Sequence, residues 1–242
     1  MNNIGVIIQA RMESERLPGK VYKKILDKRL LEHVILRVKK SKLIKKSVVA
    51  IPDTKKNLLL LPLIKKNKAE FYLGSLKNVL LRYIKAAEKF QIDPVIRITA
   101  DCPLIDPFLI DESVKEYKKI KKRPDYFFIE GYPRGLGDIE ILTLKALKKS
   151  IQLTKDPYHL EEVMSFILER PDLFDIKIAK ASLNFFRPEF RLCVDEKPDL
   201  VLVRKVFGYF KSREHFTFKE IIEYLDKNPR LVDINKNVKQ KP

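Results

Sequence analysis

Ile4-Gly-Val-Ile-Ile-Gln-Ala10 runs directly into Arg11-Met-Glu-Ser-Glu-Arg-Leu-Pro-Gly-Lys20, and this junction decides how the chain is read. The first segment is continuously apolar and does not alternate. A strand buried on both faces requires that pattern, as in parallel sheets covered by helices. The second segment is polar and carries Pro18 and Gly19, which end the strand in a loop.

Downstream, Leu31, Val34, Ile35 and Val38 recur at helical spacing within residues 30–42, and residues 47–52 read as the next strand. Residues 58–67 read as a helix and 70–73 as a strand. Residues 78–90 then form an amphipathic helix, with Val79, Tyr83, Ala86, Ala87 and Phe90 on one side. Residues 94–99 are a strongly apolar strand and 107–122 a helix. Strands alternating with helices at this spacing predict βαβ units, hence an α/β fold with a mostly parallel central sheet. Past Tyr126 the pattern is mixed: strands at 126–130, 138–142 and 175–179, helices at 159–169 and 198–210. Residues 1–234 read as one domain and 235–242 as a basic, flexible tail.

Ligands of such sheets bind beyond the carboxyl ends of the strands. The loop after Ala10 lies there and holds three cations, Arg11, Arg16 and Lys20, with Gly19 beside the last. Arginine forks, a lysine point charge and a glycine turn are what a polyphosphate needs. By composition alone, a solvated basic turn is an equal reading. The chain has 50 Lys+Arg against 32 Asp+Glu, a net charge of +18. Its lysines are spread along all 242 residues, so charge alone does not name a partner. No apolar run approaches the ~20 residues of a membrane span, and nothing at the N-terminus reads as a signal peptide, so a cytoplasmic protein is expected. Cys102 and Cys193 lack metal-ligand spacing and read as reduced thiols.

Asp101 follows the strand at 94–99, and Asp195 follows a strand-like run at 190–194. Each is either a helix or turn cap or a metal ligand. Asp106 before Pro107 is the better cap, since Asp-Pro is a favoured helix start. Asp138 and Glu140, two apart in a predicted strand, share a face. His159 is a lone histidine on a predicted helix. Arg97 is a charge inside an apolar strand and needs an acidic partner or an anionic ligand. Arg82, Thr99 and Cys102 are further candidates for the pocket wall.

Arg-x-x-Ser-x-Arg-Leu-Pro-Gly-Lys at residues 11–20 resembles the signature of the cytidylyltransferases that activate acidic sugars. The match is to the spore-coat-polysaccharide branch, related to acylneuraminate and 3-deoxy-manno-octulosonate cytidylyltransferases. Further segments agree in order. They are Gly74-Ser75 with Asn78-Val-Leu-Leu-Arg-Tyr83, Arg97-Ile-Thr-Ala-Asp-Cys-Pro-Leu-Ile-Asp-Pro107, Tyr132 to Leu142, and Arg191-Leu-Cys-Val-Asp-Glu-Lys-Pro-Asp-Leu200. Three departures stand out: Asn78 replaces an Asp, Gly137 is inserted before Asp138, and Pro157-Tyr158-His159 replaces Arg-Glu-His.

The resemblance implies a Rossmann-like three-layer fold of the nucleotide-diphospho-sugar transferase type. It implies Mg²⁺-dependent transfer of CMP from CTP to a small acidic or phosphorylated acceptor, by default a sugar acid, releasing pyrophosphate for surface polysaccharide or glycan precursors. It assigns catalysis to Lys20, Arg11 and Asp101, and the metal to Asp101 and Asp195. Gln9, Ala10, Arg11, Ser14, Arg16, Gly19, Lys20, Ser75, Arg82 and Thr99 fall to the nucleotide, and Asp138, Glu140 and His159 to the acceptor. A homodimer formed through about residues 126–165 is also implied. Two other functions compete. Glycosyl transfer from a nucleotide sugar usually shows an Asp-x-Asp motif, which Asp101-Cys-Pro lacks. Nucleic-acid binding calls for cations grouped on one face with interleaved aromatics.

Overall fold

The structure is a computed structural model and describes residues 3–211, 213 and 215–239. In chain order its elements are β1 (Gly5–Gln9), β2 (Lys24–Ile25), β3 (Lys28–Arg29), α1 (Leu30–Val38), β4 (Lys46–Pro52), α2 (Lys55–Leu58), α3 (Leu61–Lys66), β5 (Glu70–Gly74), α4 (Val79–Phe90), β6 (Val95–Thr99) and α5 (Pro107–Lys119). There follow β7 (Tyr126–Glu130), β8 (Glu140–Leu142), α6 (Leu144–Leu153), α7 (Pro157–Glu161), α8 (Ser165–Glu169), β9 (Ile176–Lys180), α9 (Lys197–Tyr209), α10 (Phe218–Asp226) and α11 (Pro229–Val232).

Seven strands form one sheet in the order β5-β4-β1-β6-β8-β7-β9. β5, β4, β1 and β6 are mutually parallel, β8 is antiparallel to both β6 and β7, and β9 is parallel to β7. β1 lies between β4 and β6, because the chain winds outward through β4 and β5 before crossing back to β6. The crevice at such a reversal is where α/β proteins hold ligands. The loops leaving β1 and β6 meet there.

Alternate residues of β1 enter different cores. Val6 and Ile8 join one core with residues of α1, α5, α9 and α10, while Ile7 joins another with α4, α6 and α8. The two-residue period of a strand sorts them to opposite faces, and three layers result. Asp106 caps α5 as expected, accepting from the Phe108 and Leu109 amides at 2.8 and 3.3 Å and from the Phe218 amide at 2.9 Å. Asn78 likewise caps α4, accepting from the Leu81 amide at 2.8 Å, so this departure keeps the cap of the residue it replaces.

Five expectations need correction. The helix at 58–67 is two short helices, α2 and α3, and the helix at 159–169 is broken between Glu161 and Ser165 into α7 and α8. The strand at 138–142 begins only at Glu140, leaving Asp138 in the preceding loop. Residues 190–194 form no strand beyond a single bridge between Arg134 and Arg191. The tail also begins later than residue 235: Asn235 is buried, and its amide group donates to the Arg191 carbonyl at 2.9 Å and to Asp199 Oδ1 at 2.7 Å. Residues 240–242 of that tail lie outside the described residues.

Candidate active site

A cleft of about 1160 Å³ opens at the carboxyl ends of β1 and β6. Of the residues singled out in the sequence, Gln9, Ala10, Arg11, Ser14, Arg16, Lys20, Arg82, Thr99, Asp101, Asp138, Glu140 and Asp195 line it. Gly19, Ser75 and His159 are not among the lining residues.

The loop holds its own shape. Gly19 takes a left-handed backbone (φ +65°), which costs glycine little. Its N–H donates to the Met12 carbonyl at 3.1 Å, so it closes the turn and does not face the cleft, contrary to the expected phosphate contact. Ser14 Oγ accepts from the Leu17 amide at 3.3 Å. A residue that composition did not reveal fixes the other side. Asn57, fully buried, accepts from the Met12 amide at 2.8 Å and donates to the Glu13 carboxylate at 2.7 and 3.0 Å.

Lys20 then projects its ammonium between two carboxylates, 2.6 Å from Asp101 Oδ2 and 2.7 Å from Asp195 Oδ1. Burial alone would lower the Lys20 pKa, but the two carboxylates outweigh it and hold it well above the usual lysine range. Burial likewise opposes ionisation of Asp101, and the Lys20 charge overcomes it, keeping the carboxyl well below its usual range. Asp195 also receives Arg16 Nη2 at 3.2 Å and Arg191 Nη2. Arg191 is oriented by Asp199, to which its Nε donates at 3.1 Å, and Asp199 accepts from the Asp195 and Glu196 amides at 2.9 Å each. Asp195 is therefore more than a helix cap, since Glu196 and Asp199 cap α9 between them.

On the opposite wall, Arg97 donates to Glu140, and Tyr126 Oη donates to Glu140 Oε1 at 3.1 Å. The buried Arg97 thus has the acidic partner its sequence context called for. Asp138 accepts from the Gly135 amide at 3.0 Å, and burial pushes its pKa up to about 6 against the pull of Arg134. The inserted Gly137 has a steric reason: a Cβ there would lie 2.5 Å from the Cβ of Tyr132. Arg11 pairs with Glu161 at 2.8 Å at the open edge. Ser75 serves α4, its Oγ accepting from the Asn78 amide at 2.9 Å and its carbonyl from Arg82. His159 is engaged at both nitrogens, Nδ1 with Thr154 Oγ1 at 2.9 Å and Nε2 with Glu169 at 2.8 Å.

Among the described residues, three buried side-chain polar atoms lack a hydrogen-bond partner: Gln9 Oε1, Arg82 Nε and Arg97 Nε. All three residues line the cleft. Such atoms are uncommon in folded proteins and mark places where a ligand would complete the bonding. Among the described residues, no group of three or more Cys, His, Asp or Glu side chains forms a ready metal cage. Mg²⁺ does not require one. It binds through one or two carboxylates and completes its shell with water and substrate phosphates. Asp101 and Asp195, aimed at one point beside a basic loop, fit that donor set.

A family model described as cytidylyltransferase matches residues 5–240. The spore coat polysaccharide biosynthesis protein SpsF of Bacillus subtilis is 32% identical, over 95% of this chain and 96% of its own. A solved cytidylyltransferase from Leptospira borgpetersenii superposes with a TM-score of 0.88 at 29% identity, over 100% of both chains. The fold is also that of a CMP-2-keto-3-deoxy-manno-octonic acid synthetase solved with CTP, at a TM-score of 0.66 and 17% identity, over 85% of this chain and 99% of that one.

Proposed function

The chain belongs to the cytidylyltransferase family, and on that premise we propose that it transfers CMP from CTP to a small acidic or phosphorylated acceptor, releasing pyrophosphate, in the making of a surface polysaccharide or glycan precursor. The observation that carries this reading is the Lys20 ammonium between Asp101 and Asp195, with Arg11 and Arg16 on the same loop. Nucleotidyl transfer needs no protein nucleophile. It needs the acceptor oxygen held in line with the α-phosphate and the growing charge on the leaving pyrophosphate neutralised.

Arg11, Arg16 and Lys20 supply that neutralisation, with arginine forks spanning paired phosphate oxygens. Mg²⁺, held by Asp101 and Asp195, supplies further charge compensation when bound. Gln9 and Ala10, at the end of β1, are the contacts for the base, and the unpaired Gln9 Oε1 is an acceptor suited to an exocyclic amine. Arg97, Asp138 and Glu140 form the acceptor wall. Asp138, with a pKa near 6, is the carboxylate best matched to taking a hydroxyl proton, a role the engaged His159 does not suit.

The test is pyrophosphate release from each of the four nucleoside triphosphates with Mg²⁺ and a panel of sugar acids and sugar phosphates. The reading requires release with CTP and thermal stabilisation by CTP over the other three. Absence of both overturns it.

A further inference from the structure

We propose that Lys20 makes the Asp101–Asp195 pair selective for a divalent cation chelated by nucleotide over the same cation free in solution. The inference rests on the cytidylyltransferase reading and concerns the state of the site before CTP arrives. Asp101 Oδ2 and Asp195 Oδ1 both point at Lys20 Nζ, at 2.6 and 2.7 Å. The other oxygen of Asp195 takes Arg191 and Arg16. Two carboxylates therefore face three permanent cations, and the ammonium lies between the two oxygens that a metal ion would share.

A free divalent ion entering here meets the Lys20 ammonium at the position it would take, largely buried, where water screens their repulsion poorly, while Arg16 and Arg191 are held by Glu196 and Asp199 as well. It must also part the ammonium from both of its carboxylate partners, and separating a largely buried charge from its partners is costly. A metal–triphosphate complex reverses both conditions. Its phosphates offset the charge of the metal, and their oxygens give Lys20 Nζ new acceptors. The ammonium can then turn from Asp101 and Asp195 to phosphate as those two oxygens take the metal. Lysine suits this exchange, being a compact charge on a flexible stem, where an arginine fork would hold both carboxylates rigidly.

The experiment titrates Mn²⁺, read by the electron paramagnetic resonance of the free ion, with and without the non-cleavable α,β-methylene analogue of CTP. Wild-type protein is expected to bind Mn²⁺ only with the analogue. Lys20→Met is expected to bind Mn²⁺ alone, at least about tenfold more tightly than wild type. Wild-type binding of Mn²⁺ without nucleotide as tight as with it overturns the proposal, and needs no variant to fold. Equal binding by wild type and a folded Lys20→Met overturns it as well. The enzymatic reading is separable: stabilisation by CTP without metal supports it whatever the Mn²⁺ outcome, whereas no nucleotide binding at all sinks both.

Discussion

Arg97 and Glu140 are register partners across the antiparallel seam between β6 and β8, and the guanidinium donates to the carboxylate at the floor of the cleft. The pair joins the half of the sheet that leads into the Arg11–Lys20 loop to the half that carries β8 and β7. Both side chains are about nine-tenths buried, so each charge relies on the other for compensation where water is scarce.

Truncating one partner should therefore cost more than removing both. Glu140→Ala is expected to lower unfolding free energy by ~3–5 kcal/mol, since it strands the guanidinium and leaves the Tyr126 hydroxyl without its acceptor. The double variant Arg97→Met/Glu140→Leu should recover most of that loss in urea denaturation while losing acceptor turnover. A double variant no more stable than the single one would show that packing, not charge pairing, governs this seam.

Lys20→Ala should abolish the thermal stabilisation that CTP confers and lower turnover by about 10²–10³-fold, the usual scale for one preorganised charge at a reacting phosphate. Undiminished stabilisation by CTP would mean that the loop is surface only.

Asp101→Asn keeps the shape of the side chain and removes its charge. Circular dichroism should be unchanged and Mg²⁺-dependent pyrophosphate release lost. Normal turnover in this variant would refute a ligand role for Asp101.

Asp138 and Asp101 should leave opposite marks on the pH dependence of stability. The Asp138 pKa is raised in the fold to about 6, so its relative contribution is most favourable below the unfolded value near 3.8 and is lost as pH rises through about 6. Asp138→Asn should then be more stable than wild type at pH 7, by up to ~3 kcal/mol, with the gain vanishing near pH 4. The Asp101 pKa is lowered by Lys20, so its contribution is present above the unfolded value and is lost on acidification. Denaturation curves decide the signs, taken at pH 4 and 7 for Asp138→Asn and at pH 2.5 and 5 for Asp101→Asn.

Asn235→Ala should cost ~1–3 kcal/mol, because the fully buried Asp199 carboxylate loses one of its four donors. It should also raise the Mg²⁺ concentration giving half-maximal turnover, because Asp199 orients Arg191 on Asp195. An unchanged metal requirement would confine Asn235 to a stability role.

The sequence was most legible where local pattern and burial agree. The continuous run in β1 and the periodic Leu31, Val34, Ile35 and Val38 of α1 announced the sheet and its cover, because both are buried along their length. The cations of the Arg11–Lys20 loop were visible as residue types at a strand end. Their arrangement was not, because Lys20 meets Asp101 and Asp195 across separations of 81 and 175 residues. Asn57, Arg191 and Asn235 escaped notice for the same reason, each being an ordinary polar residue whose partners are supplied by the fold. Gly19 looked like an exposed amide donor, and only the closed turn shows its N–H already committed to Met12. For α10 a signal existed: Thr217 and Glu220 have the spacing of a capping box, and both of its hydrogen bonds form.

Asn235 also bears on how the protein comes into being. β1 precedes both of its sheet neighbours in the chain and can pair only once β4 and β6 have been made. The side chain of Asn235, which helps to anchor Asp199 and through it Arg191 and Asp195, follows all seven strands of the sheet in chain order. A nascent chain can thus complete its sheet while its Asp195 still lacks this support.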